Sequence, residues 1–135
     1  MEKKEVVTVF LFRNGKVLLL RRSDSVSSYQ GCWAGVSGYL EETSPLEQAL
    51  RELGEETSLA GEQITFLTAG LPLAVKDEKL GRIWIVHPFL FRVEDESSLH
   101  LDREHTECKW VTPEEVRSME TVPMLYETLQ RVLPL

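Results

Sequence analysis

The sequence predicts an α+β fold, an α/β/α sandwich around a mixed β-sheet. Three observations predict it. Runs of β-branched and aromatic residues flank one well-marked helix between Ser44 and Ser58. Two further helical segments follow the last strand-like run, from Thr112 onward. The regular strand–helix alternation of a doubly wound dinucleotide-binding sheet is absent.

Val6 to Phe12 reads as a strand, and Asn14-Gly15 as a tight hairpin turn whose central positions take positive φ. Lys16 to Arg22 returns as the second strand. Ser23 to Cys32 is polar and reads as a loop, and Trp33 to Leu40 is a short strand and turn holding Gly35 and Gly38. The helix has a capping box, with Ser44 at the N-cap, Pro45 at N1 and Glu47 at N3. Leu46, Ala49, Leu50 and Leu53 form its apolar stripe, and Gly61 lies just beyond its end. Ile64 to Ala69 and Leu71 to Val75 read as strands, and Asp77 to Gly81 as a charged turn. Arg82 to Val93 is a long strand in which His87-Pro88 marks a bulge or edge position. Glu107 to Val111 is a short strand. Thr112-Pro113-Glu114-Glu115 repeats the capping-box pattern and starts a short helix. Val122 to Leu133 has helical periodicity and closes the domain.

The chain of 135 residues suffices for one domain, 1–135, with one core. It is 42% hydrophobic and 27% charged, the composition of a soluble globular protein. A formal net charge of −7 argues against bulk binding to nucleic acid or to an anionic membrane. It leaves room for a small anionic substrate held by a local cation. No signal-peptide core and no apolar run of roughly 18 residues is present. Cys32 and Cys108 share no metal-type spacing and read as free thiols of a cytoplasmic protein. Both a monomer and a homodimer fit.

The chemistry points to Arg51-Glu52-Leu53-Gly54-Glu55-Glu56. Its carboxylates at i, i+3 and i+4 share one helix face, where like charges repel by a few tenths of a kcal/mol per pair. A hard divalent cation reverses that sign, because it takes oxygen ligands. The stretch therefore reads first as a metal site on a helix.

Gly38 followed by Arg51-Glu52-Leu53-Gly54-Glu55-Glu56-Thr57-Ser58-Leu59 resembles the Nudix box. That box reads Gly, five residues, Glu, seven residues, then Arg-Glu-(apolar)-x-Glu-Glu-x-Gly-(apolar). Trp33 to Gly38 resembles the run leading into it, so the likeness covers most of the chain. It implies a Nudix-type (MutT-like) sandwich and a pyrophosphohydrolase that uses Mg²⁺, or Mn²⁺, to cleave a nucleoside diphosphate linked to another moiety. It implies Glu52, Glu55 and Glu56 as metal ligands, with the Gly38 carbonyl as a further one. Arg51 would pair with a neighbouring carboxylate. The general base is either a box glutamate or one from a later loop. His105-Thr106-Glu107-Cys108-Lys109-Trp110 resembles a run of diadenosine polyphosphate hydrolases, which offers Glu107 as ligand or base and Glu104 as runner-up.

Two departures stand out. The interval from Gly38 to Arg51 is one residue short, so the first Glu of the box falls on Thr43 or Ser44. Glu41 or Glu42 is the available substitute. Ser58 stands where the box has Gly, so it must take a strained left-handed exit or leave the helix differently. These departures motivate the alternative of a non-catalytic nucleotide sensor. A remoter alternative, an isoprenoid diphosphate isomerase, calls for a Cys and a Glu in the cleft. Around the box, Trp33, Trp84 and Tyr39 are candidates to stack a base or sugar, against the plainer reading as sheet core. Arg22, with Arg21, is a candidate phosphate contact, against that of a strand-end charge. His87 reads as a packed histidine, and His100 and His105 as surface residues.

Overall fold

The computed structural model describes residues 1–134. Its centre is an eight-stranded mixed sheet. The strands are β1 (Glu2–Arg13), β2 (Lys16–Arg22), β3 (Trp33–Ala34), β4 (Val36–Tyr39), β5 (Ile64–Ala69), β6 (Leu73–Asp77), β7 (Arg82–Val93) and β8 (His105–Val111). The helices are α1 (Pro45–Thr57) and α2 (Leu125–Gln130). Short 3-10 segments cover Gly61–Gln63 and Glu114–Ser118.

Two long strands make the spine. β1 and β7 run parallel, in register from Glu2 opposite Arg82 to Phe12 opposite Arg92. This ladder explains why β1 begins at Glu2 and not at Val6. Glu2 to Glu5 are poor strand formers, but their backbone groups are paired by β7. Each spine strand changes its other partner part-way. β1 pairs β4 along Val6–Val9 and β2 at Phe12–Arg13. β7 pairs β6 from Arg82 to Val86 and β5 from Phe89 to Val93. Pro88 sits where β7 passes from one partner to the other, which a residue without an N–H tolerates. β2 then diverges to pair β3 and β8.

Strand alternation divides the core. Val7, Val9 and Leu11 pack with Val36, Ala49, Leu53, Leu59, Phe89 and Phe91 under α1. Phe10 packs with Leu19, Leu90, Leu125 and Leu129 under α2. Val6 belongs to neither layer and joins Leu73, Val75, Trp84 and Val86.

Several boundaries shift from the sequence reading. The run from Trp33 breaks at Gly35 into β3 and β4, where its partner changes from β2 to β1, and Gly35 crosses so near β1 that a Cβ there would lie 3.0 Å from the Val9 carbonyl oxygen. β6 begins at Leu73 and extends to Asp77, fixed by its ladder to β7. β8 begins at His105. The Thr112–Glu115 box forms, with Glu115 N–H donating to Thr112 Oγ1 at 3.3 Å, but it caps a 3-10 turn and not an α-helix. The last helix is only Leu125–Gln130, because Met124 takes a left-handed φ of 60° just before it.

α1 carries the largest correction. Its N-cap is as expected, with Ser44 Oγ accepting from Glu47 N–H at 3.2 Å. Its buried face is not the Leu46-Ala49-Leu50-Leu53 stripe. Gln48, Ala49, Leu53, Glu56 and Thr57 are buried, while Leu46 and Leu50 are 40% and 45% exposed. The helix is turned so that a carboxylate, Glu56, occupies an inward position that an apolar side chain would normally fill.

Candidate functional site

The turn of α1 brings Glu52 and Glu56 against β4. On β4, Val36 and Gly38 face the helix, and Ser37 and Tyr39 the other side. A Cβ at Gly38 would stand 2.6 Å from Glu52 Oε2, so the missing side chain is the space the Glu52 carboxylate occupies. Gln48, fully buried one turn earlier, donates from Nε2 to Glu52 Oε2 at 2.7 Å. Its Oε1 accepts the Glu41 N–H at 3.2 Å, which fastens the loop entering the helix.

Glu56 is 3% exposed. Ser37 N–H donates weakly to its Oε1 over 3.4 Å. His105 Nε2 lies 3.6 Å from the same oxygen, and His105 Nδ1 lies 2.9 Å from Asp102 Oδ1. Burial, then hydrogen bonding to Glu52 and its charge, push Glu56 up to about 10. Burial also raises Glu52, with the charges of Glu55 and Glu104 adding, against the lowering by hydrogen bonds from Gln48 and Glu56. Two adjacent carboxyls thus share a site that disfavours negative charge until a positive one arrives.

Beside them lies a cavity of about 610 Å³. Glu52, Glu55, Gly38, Glu41 and Glu104 line its acidic side. Arg22, Arg103, Ser25, Ser27 and Ser28 supply cationic and hydroxyl groups. Val6, Val75, Val86, Trp84, Tyr39 and Tyr29 form an apolar and aromatic remainder. Ser23 fastens the loop that carries Glu104, its N–H donating to the Glu104 carbonyl at 2.8 Å and its Oγ to the Arg103 carbonyl at 2.8 Å. Arg22 Nε donates to the Ser28 carbonyl at 3.0 Å, fixing the loop after β2.

Among the sequence candidates, Gly38, Glu52, Glu55, Arg22, Tyr39 and Trp84 line this cavity, and Glu56 is buried directly behind Glu52. Three candidates are placed elsewhere. Trp33 packs against the α2-side core, with Arg21 over its ring at 5.8 Å. Glu107 is exposed on β8 and pairs with Arg21 at 3.7 Å, because β8 bulges against β2 between His105 and Glu107 and so turns Glu107 to the face of Val111, away from α1. Arg51 is exposed and makes no ion pair among the described residues. His105, read as a surface residue, is instead 8% exposed and wedged between Asp102 and Glu56. His87 is mostly buried on β7, 2.9 Å from Glu5 Oε1, and His100 is exposed. Ser58 takes the strained exit, with φ 65°. Thr43 donates to Glu47 Oε2 at 2.7 Å, while Glu41, the available substitute for the first box Glu, lines the cavity with Glu52. Cys32 and Cys108 are free, and neither lines the cavity, which removes the Cys–Glu pair an isomerase needs. Sequence reasoning missed Gln48 and Asp102. The spacing of Gln48 to Glu52, i to i+4, was the one available signal.

A model of the NUDIX domain family matches residues 2–133. The chain belongs to the NUDIX family. NUDIX proteins of this kind are pyrophosphohydrolases and generally use divalent cations. Solved structures agree on the fold. A MutT protein from Methanosarcina mazei Go1 superposes with TM-score 0.80 at 24% identity, over 97% of this chain and 93% of that one. The E. coli ORF135 protein gives TM-score 0.69 at 28% identity, over 96% and 90%. An Ap4A hydrolase from C. elegans gives TM-score 0.74 at 20% identity, over 97% and 94%. Curated protein sequences give no match. No helix of the described residues is long and apolar enough to cross a membrane.

The NUDIX site suits a hard divalent cation. Its donors are carboxylate and backbone oxygens, and burial with the neighbouring Glu52 holds Glu56 up to about 10, so a nearby positive charge would favour its ionised form. Among the described residues, no group of three or more His, Cys, Asp or Glu is already gathered to ligand geometry. Mg²⁺ requires few protein ligands, since it keeps several waters and takes oxygens from a phosphate.

Proposed function

We propose that this NUDIX protein is a Mg²⁺-dependent hydrolase of the pyrophosphate linkage in a small nucleoside diphosphate derivative. One observation supports the reading above the rest. The Glu52–Glu56 pair, half-buried and buried in turn with Glu52 against Gly38, borders a cavity that Arg22 and Arg103 also line. Glu52, Glu55 and Glu56 would hold the cation, with the Gly38 carbonyl as a further oxygen. The bound cation would neutralise phosphate charge and acidify a water.

The chain's own residues divide the remaining work. Gln48 holds the Glu52 carboxylate in one orientation. Arg22 and Arg103 attract the phosphates. Glu104, beside Glu52, is the general base we favour over Glu107, which points to Arg21. Tyr39 and Trp84, with ring centroids 6.0 Å apart, offer an aromatic surface to the attached group. The whole chain works as one domain, and its two free thiols suit the reducing cytoplasm.

The test is a panel of nucleoside triphosphates, dinucleoside polyphosphates and sugar nucleotides, assayed for phosphate and pyrophosphate with Mg²⁺ and with EDTA. Cation-dependent release that disappears in Glu56→Gln supports the reading. The absence of a carboxylate at Thr43 keeps the sensor alternative specific. Nucleotide binding without release from any panel member would favour that reading.

A further inference from the structure

One buried carboxylate near the cavity takes no part in the proposed chemistry. Asp77 ends β6 and is 3% exposed. Its Oδ1 accepts the Leu80 N–H at 3.0 Å, which closes the turn into β7. Its Oδ2 accepts both the Tyr29 hydroxyl at 2.8 Å and the Trp84 Nε1–H at 3.0 Å. Burial opposes the charge on Asp77, yet the hydrogen bonds from Trp84, Tyr29 and Leu80 outweigh it and hold the carboxyl below its usual range.

The donors come from separate parts of the chain. Tyr29 belongs to the loop after β2 and takes a left-handed φ of 53°, a conformation a tyrosine keeps only when its surroundings hold it. Lys79 Nζ lies 4.9 Å over the Tyr29 ring, so the β6–β7 turn grips this side chain from two directions. Tyr29 and Trp84 line the cavity, and Asp77 does not.

We propose that Asp77 is a positioning residue that sets substrate preference by fixing Tyr29 and Trp84 as the wall against the group attached to the pyrophosphate. The inference rests on the proposed hydrolase reading for its kinetic consequence, while the wall itself stands on geometry. Both oxygens of Asp77 are used by the protein, so it offers the substrate neither a charge nor an acceptor. Lys79 over Tyr29 and Arg82, 5.0 Å over Trp84, do not line the cavity, so the wall presents two aromatic rings there, suited to a flat group. Asp77 lies outside the carboxylate cluster on α1, so its loss should leave the bond-breaking machinery intact.

The test uses Tyr29→Phe and Asp77→Ala, each compared with the parent. Purine and pyrimidine nucleoside triphosphates share one phosphate chain and differ in the attached group. The expected result is a change of about fivefold or more in the ratio of their kcat/KM values, within the range that single pocket contacts supply. That change should arise in KM, with kcat within about twofold. A general loss of structure would lower both substrates together and leave the ratio fixed, which would overturn the proposal.

The second readout needs no catalysis. In a Trp33→Phe/Trp110→Phe background, Trp84 is the only tryptophan. Acrylamide quenching of its emission should rise in both test variants. Unchanged quenching in both would overturn the positioning role. If Asp77→Ala does not fold, Tyr29→Phe decides alone. A parent that hydrolyses nothing removes the hydrolase reading, and quenching then still decides whether Asp77 fixes the wall.

Discussion

Glu56→Gln tests the site more sharply than any other substitution, because it gives opposite effects on stability and on activity. Gln keeps the shape of the carboxyl and cannot ionise. Without a cation, the folded protein holds Glu56 up to about 10, through burial and its contact with Glu52, against 4.5 for an unperturbed glutamate. Below the lower value both states carry the proton, and the group has no pH-dependent effect. Between the two values the unfolded chain releases a proton that the folded chain keeps. Stability then falls as pH rises, by ~1.4 kcal/mol per unit. At pH 7 the accumulated loss is at most about 3.5 kcal/mol.

The Gln variant does not incur that loss. In EDTA it should equal the parent near pH 4 and exceed it by at most about 3.5 kcal/mol at pH 7, or about 10 °C in Tm. Thermal unfolding in EDTA at pH 4, 5.5 and 7 measures the gap. Millimolar Mg²⁺ should raise the parent's Tm through binding to the folded state, and raise the variant's less. Hydrolysis by the variant should fall by about two orders of magnitude or more, since the cation loses a charged ligand. A Gln variant less stable than the parent in EDTA at pH 7, or a gap that ignores pH, would refute the account of Glu56 as a buried, cation-seeking carboxyl.

Gly38→Ala should lower kcat/KM by about 100-fold with a small change in Tm, because the new methyl displaces the Glu52 carboxylate from its space; full activity would show that Glu52 need not sit there. Glu104→Gln should reduce kcat by about 100-fold, and Glu107→Gln should leave it within about twofold, a contrast read by steady-state kinetics. Ser58→Gly should stabilise the fold by about 0.5–1 kcal/mol in urea unfolding, by relieving a left-handed Ser at the helix exit.

Much of this molecule was legible in the chain. The Asn14-Gly15 hairpin, the Ser44 cap and the Arg51–Glu56 spacing each carry a local rule, and each element formed where its rule placed it. Boundaries that depend on a distant partner were not legible. Nothing in Glu2-Lys3-Lys4-Glu5 asks for a strand, and only the parallel ladder to Arg82–Ile85 makes one. The C-terminal helix reads long from periodicity, yet the left-handed Met124 delays its start.

The same division explains the site. Local spacing placed Glu52, Glu55 and Glu56 on one helix face but treated them as equivalents. The structure makes them three different groups. Glu55 is exposed, Glu52 is half-buried over Gly38, and Glu56 is enclosed by Ser37, His105 and Glu52. An apolar-stripe rule turns α1 to bury Leu46 and Leu50. The observed helix leaves both outside and buries Glu56, a choice no local rule favours. Hydrophobic burial alone would favour the opposite turn, by about 1.5–3 kcal/mol for each fully buried leucine. A buried carboxyl set where an apolar side chain would gain more is the local conflict expected at a working site, and it is what the proposed cation would relieve. Changing Leu46 and Leu50 together to Gln separates the two rotations. The observed rotation predicts a change in stability within about 1 kcal/mol, since neither side chain is core. The apolar-stripe rotation predicts a loss of several kcal/mol, and urea unfolding distinguishes them.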